Sequence, residues 1–227
     1  MRQFLFVLFF PMLVCAQSDF DKGKTLFEEK KYTLAKLLFE NYARQKGSDP
    51  KTTEYLGDIA AHQGRWDVSV GYYKKLKTQF PKNANYHYKF GGALGMKAKE
   101  SNKFKAFGMI DEIESAFETA ARLDSKHIDT RWALVVFYIE LPGIVGGSET
   151  KAQKYAGELM QLSKVDGYLA KGYIDVYFKR YNKAEINLKK AHEIGHSKIT
   201  FEKLYDLYLN KLKDVEKAKK LKAGVNT

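Results

Sequence analysis

The segment YLGDIAAHQGRWDVSVGYYKKLKTQFP, residues 55–81, decides the fold. A glycine, Gly57, lies in its first half, and an aromatic residue, Trp66, opens its second half directly after Gly64 and Arg65. Glycine inside a helix costs about 1 kcal/mol relative to alanine, so a glycine at this point indicates that another helix passes close by. The segment therefore predicts two helices, 51–63 and 66–79, that pack against each other and end before Pro81.

The same arrangement recurs along the chain with a period of 34 residues. Gly23, Gly57 and Gly91 are each 34 residues apart, and Tyr32 precedes Trp66 by the same interval. A fixed period of this length is typical of stacked helix pairs, each of which buries its apolar face against the next. We expect the aromatic residue that opens the second helix to pack back over the first. We expect a bulky residue further along it to plug into the next repeat, as at Phe39, Tyr73, Phe117 and Leu188.

This pattern resembles the tetratricopeptide-repeat family. Residues 55–81 match the family pattern nearly position by position, and residues 172–195 match it equally well through Tyr181, Ala184, Leu188 and Ala191. The resemblance extends over essentially all of the chain after residue 16 and is closest to exported, bacterial-type repeat proteins. It implies an all-α fold, a right-handed α-solenoid of stacked antiparallel helix pairs, whose concave face is lined by the first helix of each pair.

The chain is predicted to have two parts. Residues 1–16 are expected to be a cleavable signal peptide, and residues 17–227 a solenoid of five to six helix pairs whose last pair acts as a polar cap. Insertions relative to the repeat are predicted at 101–107 and 142–147. The predicted helices are 19–29, 33–45, 51–63, 66–79, 83–99, 108–123, 128–141, 148–163, 167–179, 182–194, 199–211 and 215–224.

The first residues have the pattern of an export signal. Arg2 is followed by an apolar run over residues 4–14 and then by small residues around Cys15 and Ala16. We therefore expect a periplasmic or extracellular protein. An uncleaved leader or a lipidated Cys15 would instead anchor it to a membrane. Because Cys15 is the only cysteine, cleavage after Ala16 would exclude a disulfide, a zinc–cysteine site and a cysteine nucleophile in the mature chain.

The chain is basic, with 39 Lys and Arg against 27 Asp and Glu and a formal net charge of +12. Such a surface attracts anionic polymers and acidic lipids. Solvated helix faces also carry many lysines, and this is the plainer interpretation. An alternative function is therefore a basic module that binds an anionic polymer or a membrane surface through its lysine-rich C-terminal end. That end contains Lys211, Lys213, Lys217, Lys219, Lys220 and Lys222.

The favoured function is a non-enzymatic scaffold that binds a protein or peptide on the concave face. Tyrosine and tryptophan supply large contact areas at low entropic cost, which suits such a surface. No cofactor and no nucleic-acid partner are expected, and peripheral association with a membrane stays open. The residues predicted to face inward are Lys24, Glu28, Asp58, His62, Tyr88, Trp132, Tyr173 and Tyr177.

The segment LPGIVGGS, residues 141–148, is the most unusual local feature. A glycine loop that leads into a helix N-terminus can bind an anion, and Gly143, Gly146, Gly147 and Ser148 are candidates for this role. The P-loop pattern is absent because no lysine follows the last glycine. The alternative is a shaped connector in which Ile144 and Val145 tuck into the solenoid.

Residues 192–196 spell the zinc-peptidase motif H-E-x-x-H. Zinc peptidases place this motif inside a long helix and supply a third ligand downstream. Here it falls where the repeat ends its second helix, and Gly195 weakens any continuation. We interpret it as a chance match and predict no catalytic residue and no metal site. A metallopeptidase centred on His192 and His196 is retained as a less favoured alternative.

Overall fold

A computed structural model describes residues 18–47 and 49–224, and all regular structure in these ranges is helical. Predictions that concern residues 1–16, including Cys15, lie outside the described residues. The α-helices are α1 (Asp19–Glu28), α2 (Tyr32–Lys46), α3 (Pro50–His62), α4 (Trp66–Gln79), α5 (Ala84–Glu100), α6 (Lys103–Phe107), α7 (Ile110–Leu123), α8 (Ile128–Glu140), α9 (Glu149–Leu162), α10 (Lys164–Tyr177), α11 (Tyr181–Gly195), α12 (Lys198–Asp206) and α13 (Val215–Ala223).

These helices pack consecutively as antiparallel pairs. The pairs are α1 with α2, α3 with α4, α5 with α7, α8 with α9, and α10 with α11. In a sixth pair, α12 continues as a π-helix over Leu207–Leu212 and turns back into α13. The predicted all-α solenoid of stacked helix pairs is confirmed. The insertions between paired helices contain α6 and a 3-10 turn, Gly143–Val145.

Glycines in the first helix of a pair let the second helix approach. A Cβ placed on Gly57 would stand 2.8 Å from the Tyr73 ring, and one on Gly91 would stand 2.9 Å from the Phe117 ring. Such contacts are closer than packed carbon atoms tolerate. The bulky residue of each unit therefore covers the glycine of its own pair, a contact that was not predicted. Phe39 does both, because it also stacks on Tyr55 with ring centroids 4.7 Å apart.

The aromatic residues that open the second helices also reach the next pair. Tyr32 stacks on His62 at 4.6 Å between centroids, and Trp66 Nε1 donates to Glu100 Oε1 over 2.6 Å. We expected these residues to pack back over their own first helix, and the contacts to the next pair were not predicted. These contacts link neighbouring pairs near the turns.

Within the part of the chain that the structure describes, the buried core is divided into three clusters along the stack. A central cluster extends from Tyr73 to Ile174, and smaller clusters occupy the two ends, around Phe39 and around Leu207. All three are built from residues within 18–224, so this part of the chain supplies its own core. No helix among the described residues combines the length and apolarity needed to cross a membrane.

Candidate functional site

A cavity of about 570 Å³ opens between α5 and α8, the first helices of two neighbouring pairs. Ile113 and Phe117 of α7 contribute to its lining, and Ala106 of the inserted helix α6 borders it. Both α5 and α8 are first helices of their pairs, the helices from which the sequence predicted a binding surface. A concave, mostly apolar site of this size is typical of a ligand-binding pocket.

The cavity is open because α5 carries two glycines beyond the one that its packing requires. Gly91 lies against Phe117, but a Cβ placed on Gly92 or Gly95 would meet no atom within 4 Å. Both of these glycines line the cavity. Each costs helix stability without a packing contact in return. Their effect is to leave room where larger side chains would fill the groove.

Two of the sequence-predicted residues, Tyr88 and Trp132, line this cavity. The Trp132 ring is fixed by a hydrogen bond of 2.8 Å from its Nε1 to Asp166 Oδ1 on the next pair. The Tyr88 ring lies 5.1 Å from the ring of His127, measured between centroids. Burial raises the pKa of the Tyr88 phenol, and the negative charge of Asp129 adds to this effect. Tyr88 is therefore a neutral hydrogen-bonding group in an apolar wall.

Charged groups stand where α5 and α8 end at the cavity rim. Lys99 Nζ lies 2.6 Å from Glu140 Oε2, and both residues line the cavity. Tyr173, another predicted residue, donates from its hydroxyl to Glu140 Oε1 over 3.0 Å. Burial, and then the charge of Glu140, raises the pKa of Tyr173. The site thus combines an apolar interior with a polar rim, an arrangement that is typical of ligand-binding pockets.

The predicted residues Lys24 and Asp58 lie elsewhere, around a smaller cavity of about 290 Å³. Lys24 forms an exposed ion pair with Glu28, at 3.8 Å. Asp58 accepts hydrogen bonds from the Tyr73 hydroxyl and from Lys89 Nζ, which also contacts Glu54 at 2.6 Å. Asp58 therefore joins α3 to α5 within an ionic network, and this contribution to structure was not predicted.

The remaining predicted residues do not join the cavity. His62 is exposed at the end of α3, where it stacks on Tyr32. Tyr177, which is 48% exposed at the end of α10, packs edge-on against Phe178 with centroids 5.2 Å apart. The structure thus brings Tyr88 and Trp132 together, connects Tyr173 to them through Glu140, and leaves His62 and Tyr177 outside.

The glycine loop has a compact structure in which backbone amides are already bonded. Gly147 N donates to Pro142 O over 3.1 Å, and Ser148 N donates to Tyr138 O over 2.9 Å. An anion would have to compete with these bonds. A Cβ on Gly147 would stand 1.9 Å from Leu141 O, so only glycine fits there. Ser148 caps α9 through Lys151 N. Ile144 does not tuck into the solenoid, because its side chain is 96% exposed.

The H-E-x-x-H residues do not lie on one helix. α11 ends at Gly195, and His196 follows with a left-handed φ of 42°. His192 is engaged by Thr200, with Nδ1 and Oγ1 3.1 Å apart. A zinc-peptidase motif needs both histidines one turn apart on a continuous helix, and this geometry does not provide that. Within residues 18–47 and 49–224, no group of three or more His, Cys, Asp or Glu is arranged to hold a metal ion.

Several residues of the cavity were not predicted. Gly92, Gly95 and Met96 lie on α5, and Val136 lies on α8 one turn after Trp132. The sequence did contain a signal for this cavity. The run FGGALG at 90–95 has three glycines, and the repeat pattern explains only Gly91. The helical spacing of Trp132 and Val136 is a second signal, because residues four apart share a helix face.

Comparison with known proteins identifies the fold. No family model matches the sequence, and no curated protein matches it. Among solved structures, a tetratricopeptide-repeat protein of Thermus thermophilus is similar over 84% of this chain and 97% of its own, at 16% identity and a TM-score of 0.69.

Two further structures show the same likeness. One from Parabacteroides merdae, a tetratricopeptide repeat protein, matches 91% of this chain and 77% of its own, at 14% identity and a TM-score of 0.62. The human IFIT1 dimer with PPP-AAAA matches 92% of this chain and 51% of its own, at 20% identity and a TM-score of 0.70. The chain therefore has the tetratricopeptide-repeat fold, as the resemblance predicted.

Proposed function

We propose that this chain is a non-enzymatic scaffold that binds a segment of a partner protein in the cavity between α5 and α8. The observation that carries the proposal is the open, apolar groove whose space depends on Gly92 and Gly95. Helical glycines without a packing partner lower the stability of the fold. A contribution to binding would explain the presence of Gly92 and Gly95 despite this cost.

The lining favours a segment that inserts a large apolar side chain. Tyr88, Trp132 and Phe137 supply aromatic surface, and a few well-packed apolar anchors provide most of the free energy of such interfaces. The rim then orients the backbone of the segment. Lys99 and Glu140 lie at one end of the cavity and Asp129 lies at the other. The backbone of a bound segment could therefore form hydrogen bonds with both donors and acceptors of the rim.

The proposed location is the periplasm or the cell exterior. It rests on the export pattern of the first 16 residues: a basic residue, an apolar run at residues 4–14 and small residues up to Ala16. An envelope scaffold would meet its partner after export.

The experiment fills the groove without removing any contact. Residues 17–227 are used to select binders from a phage-displayed library of random peptides, and the enriched peptides are titrated calorimetrically. Gly95→Leu places a side chain in the cavity. Gly71→Leu is the matched control, because Gly71 of α4 is also a helical glycine with no atom within 4 Å of a Cβ, but it does not line the cavity.

We expect the enriched peptides to share a large apolar residue. Gly95→Leu should weaken their binding about tenfold or more, since the burial of one such side chain contributes about 1.5–3 kcal/mol. Gly71→Leu should leave the affinity unchanged. If Gly95→Leu does not weaken peptide binding, or if Gly71→Leu weakens it equally, the peptides do not bind in the cavity and the proposal is wrong.

A further inference from the structure

The turns that join the first to the second helix of each pair lie along one edge of the solenoid. They comprise residues 29–31, 63–65, 101–109, 141–148, 178–180 and 213–214, which we call the turn edge. Contacts run along it from turn to turn. They include the Tyr32–His62 stack, the Trp66–Glu100 hydrogen bond, and the Lys99–Glu140 and Arg180–Glu149 ion pairs.

This edge carries an excess of unpaired positive charge. Most of the acidic groups beside its turns are already engaged: Asp67, Glu140 and Glu149 pair with Lys97, Lys99 and Arg180, and Glu100 accepts the Trp66 hydrogen bond. Six exposed cations have no ion-pair partner in the part of the chain that the structure describes. They are Lys30, Arg65, Lys103, Lys105, Lys179 and Lys213.

Three of these lysines occupy backbone positions that favour glycine. Lys30, Lys179 and Lys213 have φ values of 60°, 57° and 58°, and Gly64 takes the same position in the second pair with a φ of 67°. A left-handed conformation costs a residue with a side chain roughly 1–2 kcal/mol. A charged side chain at the same strained position in three turns of one chain points to a use for that charge.

The two insertions add exposed apolar side chains to the same edge. Phe104 and Phe107 of α6 are 89% and 62% exposed, and Ile144 of the glycine loop is 96% exposed. The insertions are neighbours, because Ala106 of one and Leu141 at the start of the other line the same cavity. Lys103 and Lys105 flank Phe104 in sequence. Protruding apolar groups among cations are typical of a protein that rests on a membrane.

We propose that the turn edge docks on an anionic membrane surface. The unpaired lysines and Arg65 face the negative headgroups, and Phe104, Phe107 and Ile144 enter the boundary between headgroups and acyl chains. This surface differs from the lysine-rich C-terminal end that the sequence suggested, where Lys217 and Lys219 are paired with Glu185 and Glu216. Its cations Lys30, Lys179 and Lys213 lie outside the lining of the proposed peptide groove, which the edge borders at Ala106 and Leu141.

The test measures co-sedimentation of residues 17–227 with vesicles of two parts phosphatidylcholine and one part phosphatidylglycerol. This segment excludes the apolar run at residues 4–14, which would itself enter a bilayer. The edge variant is Lys30→Gln, Lys179→Gln and Lys213→Gln together. The matched control is Lys46→Gln, Lys82→Gln and Lys126→Gln, three exposed lysines without ion pairs in the described residues, near the connections on the opposite edge.

We expect the edge variant to bind the vesicles about a hundredfold more weakly, since each lysine near an anionic surface contributes about fivefold. The control variant should bind like the unmodified chain, and pure phosphatidylcholine should bind little. Equal losses in both variants would overturn the proposal, because only net charge would then matter.

A second arm separates a membrane from a soluble polyanion. Ile144→Ser should weaken vesicle binding at high salt, where charge attraction is screened. Ile199→Ser, a change at a 60% exposed isoleucine of α12, should not. Heparin binding should be the same for both serine variants. If Ile144→Ser does not change vesicle binding and the chain binds heparin tightly, the edge binds anionic polymers and the membrane proposal is overturned.

Discussion

At the scale of single residues, the same amino acid serves opposite purposes in one helix. Gly91 of α5 is required by packing, because a Cβ there would stand 2.9 Å from the Phe117 ring. Gly95, about one turn later, has open space beside it and borders the cavity. A helix therefore contains glycines that hold the fold together and glycines that weaken it, and only the contacts of each position distinguish them.

Replacement of these glycines by alanine tests that distinction. Gly57→Ala should destabilise the chain by about 1–3 kcal/mol, because the methyl group would force Tyr73 or the backbone to move. Gly95→Ala should stabilise it by about 0.5–1 kcal/mol through better helix propensity. Urea unfolding of the two variants and the unmodified chain gives both values. Destabilisation by both changes would mean that the space beside Gly95 is not free.

At the scale of elements, the sequence was a good guide wherever the repeat is regular. The second helix of the second pair was predicted at 66–79 and is Trp66–Gln79, because an aromatic start, a small residue and a bulky residue fix its phase. The insertions were located but their content was not. No periodicity extends through residues 101–107, so neither the helix Lys103–Phe107 nor its exposed phenylalanines could be derived.

The candidate site was only partly predictable for a related reason. The repeat phase predicts which side chains point inward, and two of these, Tyr88 and Trp132, line the same cavity. Whether an inward side chain is available to bind a ligand depends on its contacts with the neighbouring pair. Asp58, for example, is engaged by Lys89. Such partners lie about one repeat away, and their geometry depends on how the pairs stack.

The turns are a second group of elements whose energy can be tested. In the turn after α10, the backbone amide of Arg180 donates to Asp175 O, and in the turn after α3, that of Arg65 donates to Ala60 O, both over 2.8 Å. The two turns therefore end their helices in the same way. Lys179 occupies the left-handed position that Gly64 fills in the other turn. A comparison of glycine and lysine at that position therefore measures the cost of a side chain there.

Lys179→Gly should stabilise the protein by about 0.5–1 kcal/mol, since the left-handed strain of lysine slightly exceeds the flexibility cost of glycine. The reverse change, Gly64→Lys, should destabilise it by a similar amount. Thermal unfolding at neutral pH measures both, and a loss of stability on Lys179→Gly would show that lysine is not strained there.

At the scale of the whole molecule, the solenoid is close to one-dimensional. Each pair contacts its neighbours along the chain, and the end clusters around Phe39 and Leu207 are separate from the central one. In such a chain, stability is the sum of the repeats and the interfaces between neighbours, so a local defect opens one end before the rest.

Two core truncations at opposite ends test this behaviour. Phe39 is 0% exposed and Leu207 is 1% exposed, so either change to alanine should cost about 2–5 kcal/mol locally. By amide hydrogen exchange followed by mass spectrometry, Phe39→Ala should accelerate exchange in residues 19–62 and leave residues 181–223 protected. Leu207→Ala should do the opposite. If either variant accelerates exchange equally along the whole chain, the six pairs unfold as one cooperative unit, and the cavity between α5 and α8 would then depend on both ends of the solenoid rather than on its immediate neighbours.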